Sequence, residues 1–121
     1  MAKNLKKILV ADDNDGIVAS LTMVLQYGGY EVTALMNGQD VQNITAPFPD
    51  LILLDIWMAG VNGIDVCKHL KARKDTKHIP IIMFSAYPDS ISAARAAGAD
   101  DFIEKPYSMD DMLAKVKKNL L

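Results

Sequence analysis

The chain has 121 residues, half of them apolar and 23% charged, which fits one globular domain with a proper core and excludes fibrous and low-complexity classes. A formal net charge of −2 gives no general attraction to nucleic acid, and the lone Cys67 excludes an intramolecular disulfide and fits a reducing cytoplasm. No apolar run approaches the roughly 18 residues of a membrane span, and the N-terminus MAKNLKKILV lacks a signal-peptide pattern.

Short apolar runs alternate with longer amphipathic segments. KILVA (Lys7 to Ala11) reads as a buried strand and is followed by Asp12, Asp13, Asn14 and Asp15. Ile17, Leu21, Val24, Leu25 and Gly28 then fall at helical spacing, with Asp15 as the expected N-cap and Gly28–Gly29 as the stop. YEVTAL alternates as a strand does, Asn37–Gly38 marks a turn, and a weak helix over 39–45 ends before Pro47 and Pro49. DLILLD is a second buried strand; a helix over 64–72 follows Gly63. IPIIMFSA is a third buried strand, followed by the alanine-rich helical stretch PDSISAARAAGA, which offers little bulk for packing. DFIE is a short strand ending at Lys105–Pro106, and Met109, Met112, Leu113, Val116 and Leu120 form the apolar stripe of a last helix.

Five strand–helix units in alternation predict an α/β fold: a single doubly wound, five-stranded parallel sheet with helices on both faces. One domain over 1–121 is expected, with no repeat or linker. Ligands of such a sheet sit at the C-terminal ends of the strands, near the switch in winding direction. Those ends carry Asp12 and Asp13, Asp55, Ser85 and Lys105, so every polar residue that interrupts an apolar strand falls on one edge. Three carboxylates together repel, and an all-oxygen donor set with few protein ligands suits Mg²⁺. A carboxylate nucleophile, a metal site, an ammonium and a hydroxyl make a place where an aspartate can receive a phosphoryl group.

In these motifs the chain resembles the receiver domain of two-component response regulators, including the stand-alone chemotaxis type. The resemblance covers essentially the whole chain and rests on Asp12–Asp13, LILLD ending at Asp55, Met58 and Gly63, Ser85–Ala86, and Lys105–Pro106. It implies a flavodoxin-like (βα)5 fold with strand order 2-1-3-4-5. It also implies a cytoplasmic signalling switch, not an enzyme acting on a separate substrate. Asp55 is then the phosphoacceptor, and Asp12, Asp13, Asp55 and the backbone carbonyl of Trp57 hold Mg²⁺ (or Mn²⁺). Ser85 bonds a phosphoryl oxygen and moves inward, and Lys105 pairs first with Asp55 and then with the phosphate. Phe102 holds the switching-aromatic position, Ala86 flanks the site, and the bond before Pro106 is cis. The implied donor is a phosphohistidine on a histidine kinase or a histidine phosphotransfer protein. The surface of the fourth helix, fifth strand and fifth helix then changes to alter binding of a downstream target, or the phosphoryl group is passed on. The protein is expected as a monomer that can dimerise on phosphorylation, touching neither nucleic acid nor membrane directly.

Ala59 stands where the family commonly has proline, Ser85 where threonine is commoner, and Phe102 where tyrosine is frequent, so no reacting group is lost. Trp57 and Tyr87, two residues beyond Asp55 and Ser85, are positioned to shield the phosphorylated aspartate from water. His69 and His78 read as surface residues, Cys67 as a packing residue, and Asp100 and Asp101 as solvated acids. The lysines at both ends, Lys3, Lys6 and Lys7 and then Lys115, Lys117 and Lys118, also read as solvated. An aspartyl-nucleophile hydrolase would require a second acid at position 57, which is Trp57 here. The remaining alternative is a receiver-like interaction module that works without phosphorylation.

Overall fold

The computed structural model describes residues 5–58 and 61–120. Five parallel strands form one sheet: β1 (Lys7–Ala11), β2 (Glu31–Leu35), β3 (Leu51–Asp55), β6 (Ile81–Ser85) and β7 (Asp101–Glu104). Their order is β2-β1-β3-β6-β7, which is the expected 2-1-3-4-5. A two-stranded antiparallel ribbon, β4 (Trp57–Met58) with β5 (Val61–Asn62), follows β3 and was not expected. Ala59, between them, lies outside the described residues.

Alternation along the strands builds two cores. Ile8, Val10, Leu51, Leu53, Ile82, Phe84 and Ile103 pack against α1 (Asp15–Tyr27) and α5 (Met109–Asn119). Leu9, Ile52, Leu54, Ile81 and Met83 point the other way, onto α2 (Gly38–Gln42), α3 (Gly63–Ala72) and α4 (Ser90–Ala96). β3 and β6 are buried along their whole length, which explains their unbroken apolar runs. The chain leaves β1 toward β2, then crosses back to β3 and continues toward β7, so winding reverses between β1 and β3.

The cap of α1 is Asn14, not Asp15: Asn14 is extended and its Oδ1 accepts the Ile17 N–H at 3.0 Å. Asp15 is the first helical residue, where its charge still suits the helix dipole. The stop is as expected, with Gly29 at φ 94° just past the helix. Asn37–Gly38 is not a free turn. Asn37 caps α2, and a Cβ at Gly38 would sit 2.7 Å from the Val61 Cβ, so glycine lets α2 lie against the ribbon. α2 also ends at Gln42, earlier than expected. There Arg73 forks onto the Gln42 and Ile44 carbonyls at 2.8 and 2.9 Å and pairs with Asp75.

The two acids at the start of the last strand, Asp100 just before it and Asp101 its first residue, are not simply solvated. Asp100 binds Lys71 and the Ile81 N–H, each at 2.8 Å. Burial pushes the Asp101 carboxyl up, but bonds from Asn119, the Phe102 N–H and Lys115 outweigh it and hold it below its usual range. Lys115 is likewise engaged, donating to the Phe102 carbonyl at 2.5 Å. His69 and His78 are exposed as expected. Cys67 is fully buried, its thiol pushed up to about 11 chiefly by burial, so it packs and stays unreactive.

Candidate functional site

Strand alternation decides which side chains meet at the C-terminal edge. Two residues beyond Val10, Leu53, Ile82 and Ile103 of the α1–α5 core come Asp12, Asp55, Phe84 and Lys105, continuing the same face. Asp12 is 1% exposed and Asp55 6%. The Lys105 Nζ lies 3.6 Å from Asp55 Oδ1 and 3.7 Å from Asp12 Oδ2, which are ion-pair rather than hydrogen-bond separations. Asp13, exposed on the loop after β1, completes the cluster: one oxygen from each of Asp12, Asp13 and Asp55 lies within 4.8 Å of the others.

Burial raises Asp55 most, the Asp12 charge adds to this, and Lys105 and the Trp57 N–H pull it back, leaving a pKa of about 6. Asp12 Oδ1 accepts the Asn14 N–H at 2.9 Å, whereas Oδ2 is buried without a hydrogen bond. One ammonium at ion-pair distance does not satisfy two buried carboxylates, one of which has a buried, unbonded oxygen. The donor set is all oxygen, so the residues fit a hard divalent cation such as Mg²⁺ or Mn²⁺.

Around this cluster, Ser85 is buried and its Oγ accepts the Tyr87 N–H at 3.0 Å, which leaves the hydroxyl proton free to donate. Trp57 and Tyr87 are exposed, at 55% and 61%. Ala86 is exposed and, with Lys105, Pro106, Tyr107 and Ile17, lines a groove of about 690 Å³ beside α1. Phe102 is 6% exposed and packed in the core on the α2–α4 side. The Lys105–Pro106 bond is cis, as is Ala46–Pro47, which was not expected. Gly63 supports the cluster from below. Its N–H bonds the Ile56 carbonyl at 2.6 Å, and a Cβ there would collide with the Asp55 carbonyl oxygen.

Two aromatic residues escaped sequence reasoning. Phe84 lies under Lys105, whose Nζ stands 4.8 Å over the ring centroid. Tyr107 meets Phe84 edge to face, with centroids 6.4 Å apart and planes at 78°. Burial and the charges of Asp12 and Asp55 raise the Tyr107 hydroxyl. The only sequence signal was Tyr107 standing two residues after Lys105. Phe84 inside IIMFS reads as ordinary core.

Residues 8–117 match the model of the response regulator receiver domain. The chain belongs to this family, whose members serve two-component systems as signalling switches. It is 35% identical over 119 residues to the phosphate regulon transcriptional regulatory protein PhoB of Rhizobium meliloti, covering 96% of this chain and 52% of PhoB. The chain thus spans about half the length of the curated relatives it matches. Among solved structures, a candidate response regulator from Chloroflexus aurantiacus superposes with a TM-score of 0.91 at 30% identity, covering 97% of this chain and 98% of that one. The response regulator TrrA of Thermotoga maritima, solved in complex with Mg²⁺ and BeF, gives 0.86 at 35% identity, covering 97% and 100%. Among the described residues no helix is long and apolar enough to cross a membrane.

Proposed function

We propose that the chain, one receiver domain over 1–121, is a switch in which Asp55 takes a phosphoryl group from a phosphohistidine of a histidine kinase or histidine phosphotransfer protein. The observation that carries this reading is the Asp12–Asp13–Asp55 cluster with Lys105 paired to its two buried members. An Asp55 carboxylate oxygen attacks phosphorus, the P–N bond breaks, and its electron pair returns to the imidazole. Asp12, Asp13, Asp55 and the Trp57 backbone carbonyl would hold Mg²⁺ (or Mn²⁺), which when bound would supply positive charge to offset the carboxylates and the phosphoryl oxygens. Lys105 exchanges its Asp55 ion pair for one with a phosphoryl oxygen. Ser85 donates its hydroxyl proton to another, which draws it inward.

Phe102 follows Ser85, and the surface of α4, β7 and α5 changes toward a downstream protein. The protein catalyses only its own phosphorylation and dephosphorylation. It works in the cytoplasm as a monomer that can dimerise on phosphorylation. Binding nucleic acid, as transcriptional relatives of twice its length do, is not a role for these residues. The site residues and the solved Mg²⁺–BeF complex of TrrA support this reading.

The test is a Mg²⁺ titration followed by Trp57 fluorescence, then beryllofluoride or acetyl phosphate, with Asp55→Asn as control. A response to metal and a further one to the phosphate analogue are expected, together with a mass gain of one phosphoryl group on Asp55. No mass gain and a flat signal would leave an interaction module that works without phosphorylation.

A further inference from the structure

We propose that Phe84 is a positioning residue for Lys105: its ring face is the platform that holds the ammonium between Asp12 and Asp55, ready for the phosphoryl group. The consequence for phosphoryl binding rests on the function proposed above; the platform itself does not.

Neither carboxylate is within hydrogen-bond reach of Lys105 Nζ, since the separations are 3.6 and 3.7 Å. The ring centroid lies 4.8 Å from the same nitrogen, inside the range where an aromatic face attracts a cation. That ring is immobilised. Phe84 is fully buried, its strand position is in register with Asp55 on one side and Ile103 on the other, and the Tyr107 ring meets it edge to face.

A leucine would keep the position apolar and buried, so the hydrophobic pattern alone does not call for an aromatic residue here. What leucine lacks is the negative face beneath the ammonium. The attraction to a ring face is broad rather than directional. Lys105 can therefore swing from the carboxylates to an incoming oxygen without leaving its support. A hydrogen bond to either acid would hold it in one place instead.

The experiment compares wild type, Phe84→Leu and a protein carrying 3,4,5-trifluorophenylalanine at position 84, an isostere whose face is no longer negative. The first readout is the NMR shift of the Lys105 ε-methylene protons in the metal-free protein. In wild type they lie upfield of those of the other lysines through the ring current, and Phe84→Leu abolishes the difference. The second is affinity for Mg²⁺ with beryllofluoride, which both substitutions should weaken by about threefold to thirtyfold, the range of a partly desolvated cation–ring contact.

Lys105 protons without an upfield shift in wild type would overturn the platform. So would a trifluoro variant that binds beryllofluoride within twofold of wild type, because packing is then all the ring provides. If wild type shows the upfield shift but takes neither beryllofluoride nor a phosphoryl group, the platform stands and the proposed function fails. Should Phe84→Leu not fold, the isostere alone decides.

Discussion

Asp55→Asn should stabilise the metal-free protein at neutral pH, and the size follows from the site. The Asp55 pKa is about 6 in the fold against 3.8 for an unperturbed aspartate. The folded state therefore binds the proton more tightly than the unfolded chain. Between pH 4 and 6 the native state carries more protons, so stability falls as pH rises through that window and stays low above it. A difference of about two pKa units corresponds to roughly 3 kcal/mol of penalty, fully present above pH 7. Asparagine keeps the volume and can still accept the Trp57 N–H, but carries no charge to desolvate or to face Asp12. Lys105 retains Asp12 as a partner while losing Asp55, so the expected gain is about 1–3 kcal/mol at pH 7.5. At pH 4.5 wild-type Asp55 is largely protonated in the fold while the unfolded side chain is still mostly ionised, so only about a third of the penalty remains and the gain should shrink in proportion. Urea unfolding of both proteins in a chelator, at both pH values and with unchanged m-values, measures this. An equal or lower stability of the variant at pH 7.5 would refute the argument, as would a gain that does not depend on pH.

Removing Arg73 should expose how α2 is tied down: Arg73→Ala leaves the Gln42 and Ile44 carbonyls without its two bonds and should lower stability by about 1–3 kcal/mol in urea melts. Gly63→Ala pushes a Cβ into the backbone at Asp55 and Ile56, so a loss of about 1–3 kcal/mol with slower acetyl phosphate labelling is expected by melts and mass spectrometry. Trp57→Asn replaces an exposed ring beside the acceptor and should speed loss of the phosphoryl group; an unchanged decay rate would remove the shielding role. Hydrogen exchange should be faster in α4 than in α5. α4 has no side-chain cap bond and buries only Ala94, whereas α5 is capped by Ser108 and buries Met112 and Val116.

The sheet and most helix positions were legible because burial on both faces demands unbroken apolar strands, and the one-sided helices repeat at 3.6 residues. What escaped was decided by tertiary contact. The Asn37–Gly38 pair looks like a turn until Val61 is seen to require a glycine. Asp100 and Asp101 look like solvated acids until Lys71, Lys115 and Asn119, distant in sequence, reach them. The β4–β5 ribbon is too short to show any period.

The site residues divide along the same line. Asp12, Asp55, Ser85 and Lys105 were visible because each breaks an apolar pattern at a strand end, where burying a polar group has a cost that some contact must offset. Phe84 breaks no pattern. An aromatic residue at the end of a buried strand satisfies the core rule, so its second contact, with the ammonium above it, leaves no trace in the sequence. Sequence reading therefore finds the groups that carry charge and misses the apolar surface that fixes where the charge stands. In this fold that surface is the last residue of the α1–α5 core before the edge, in register with Asp55. Position 84 couples the packing of the domain to the geometry of Lys105, and a change there should alter the site before it alters the fold.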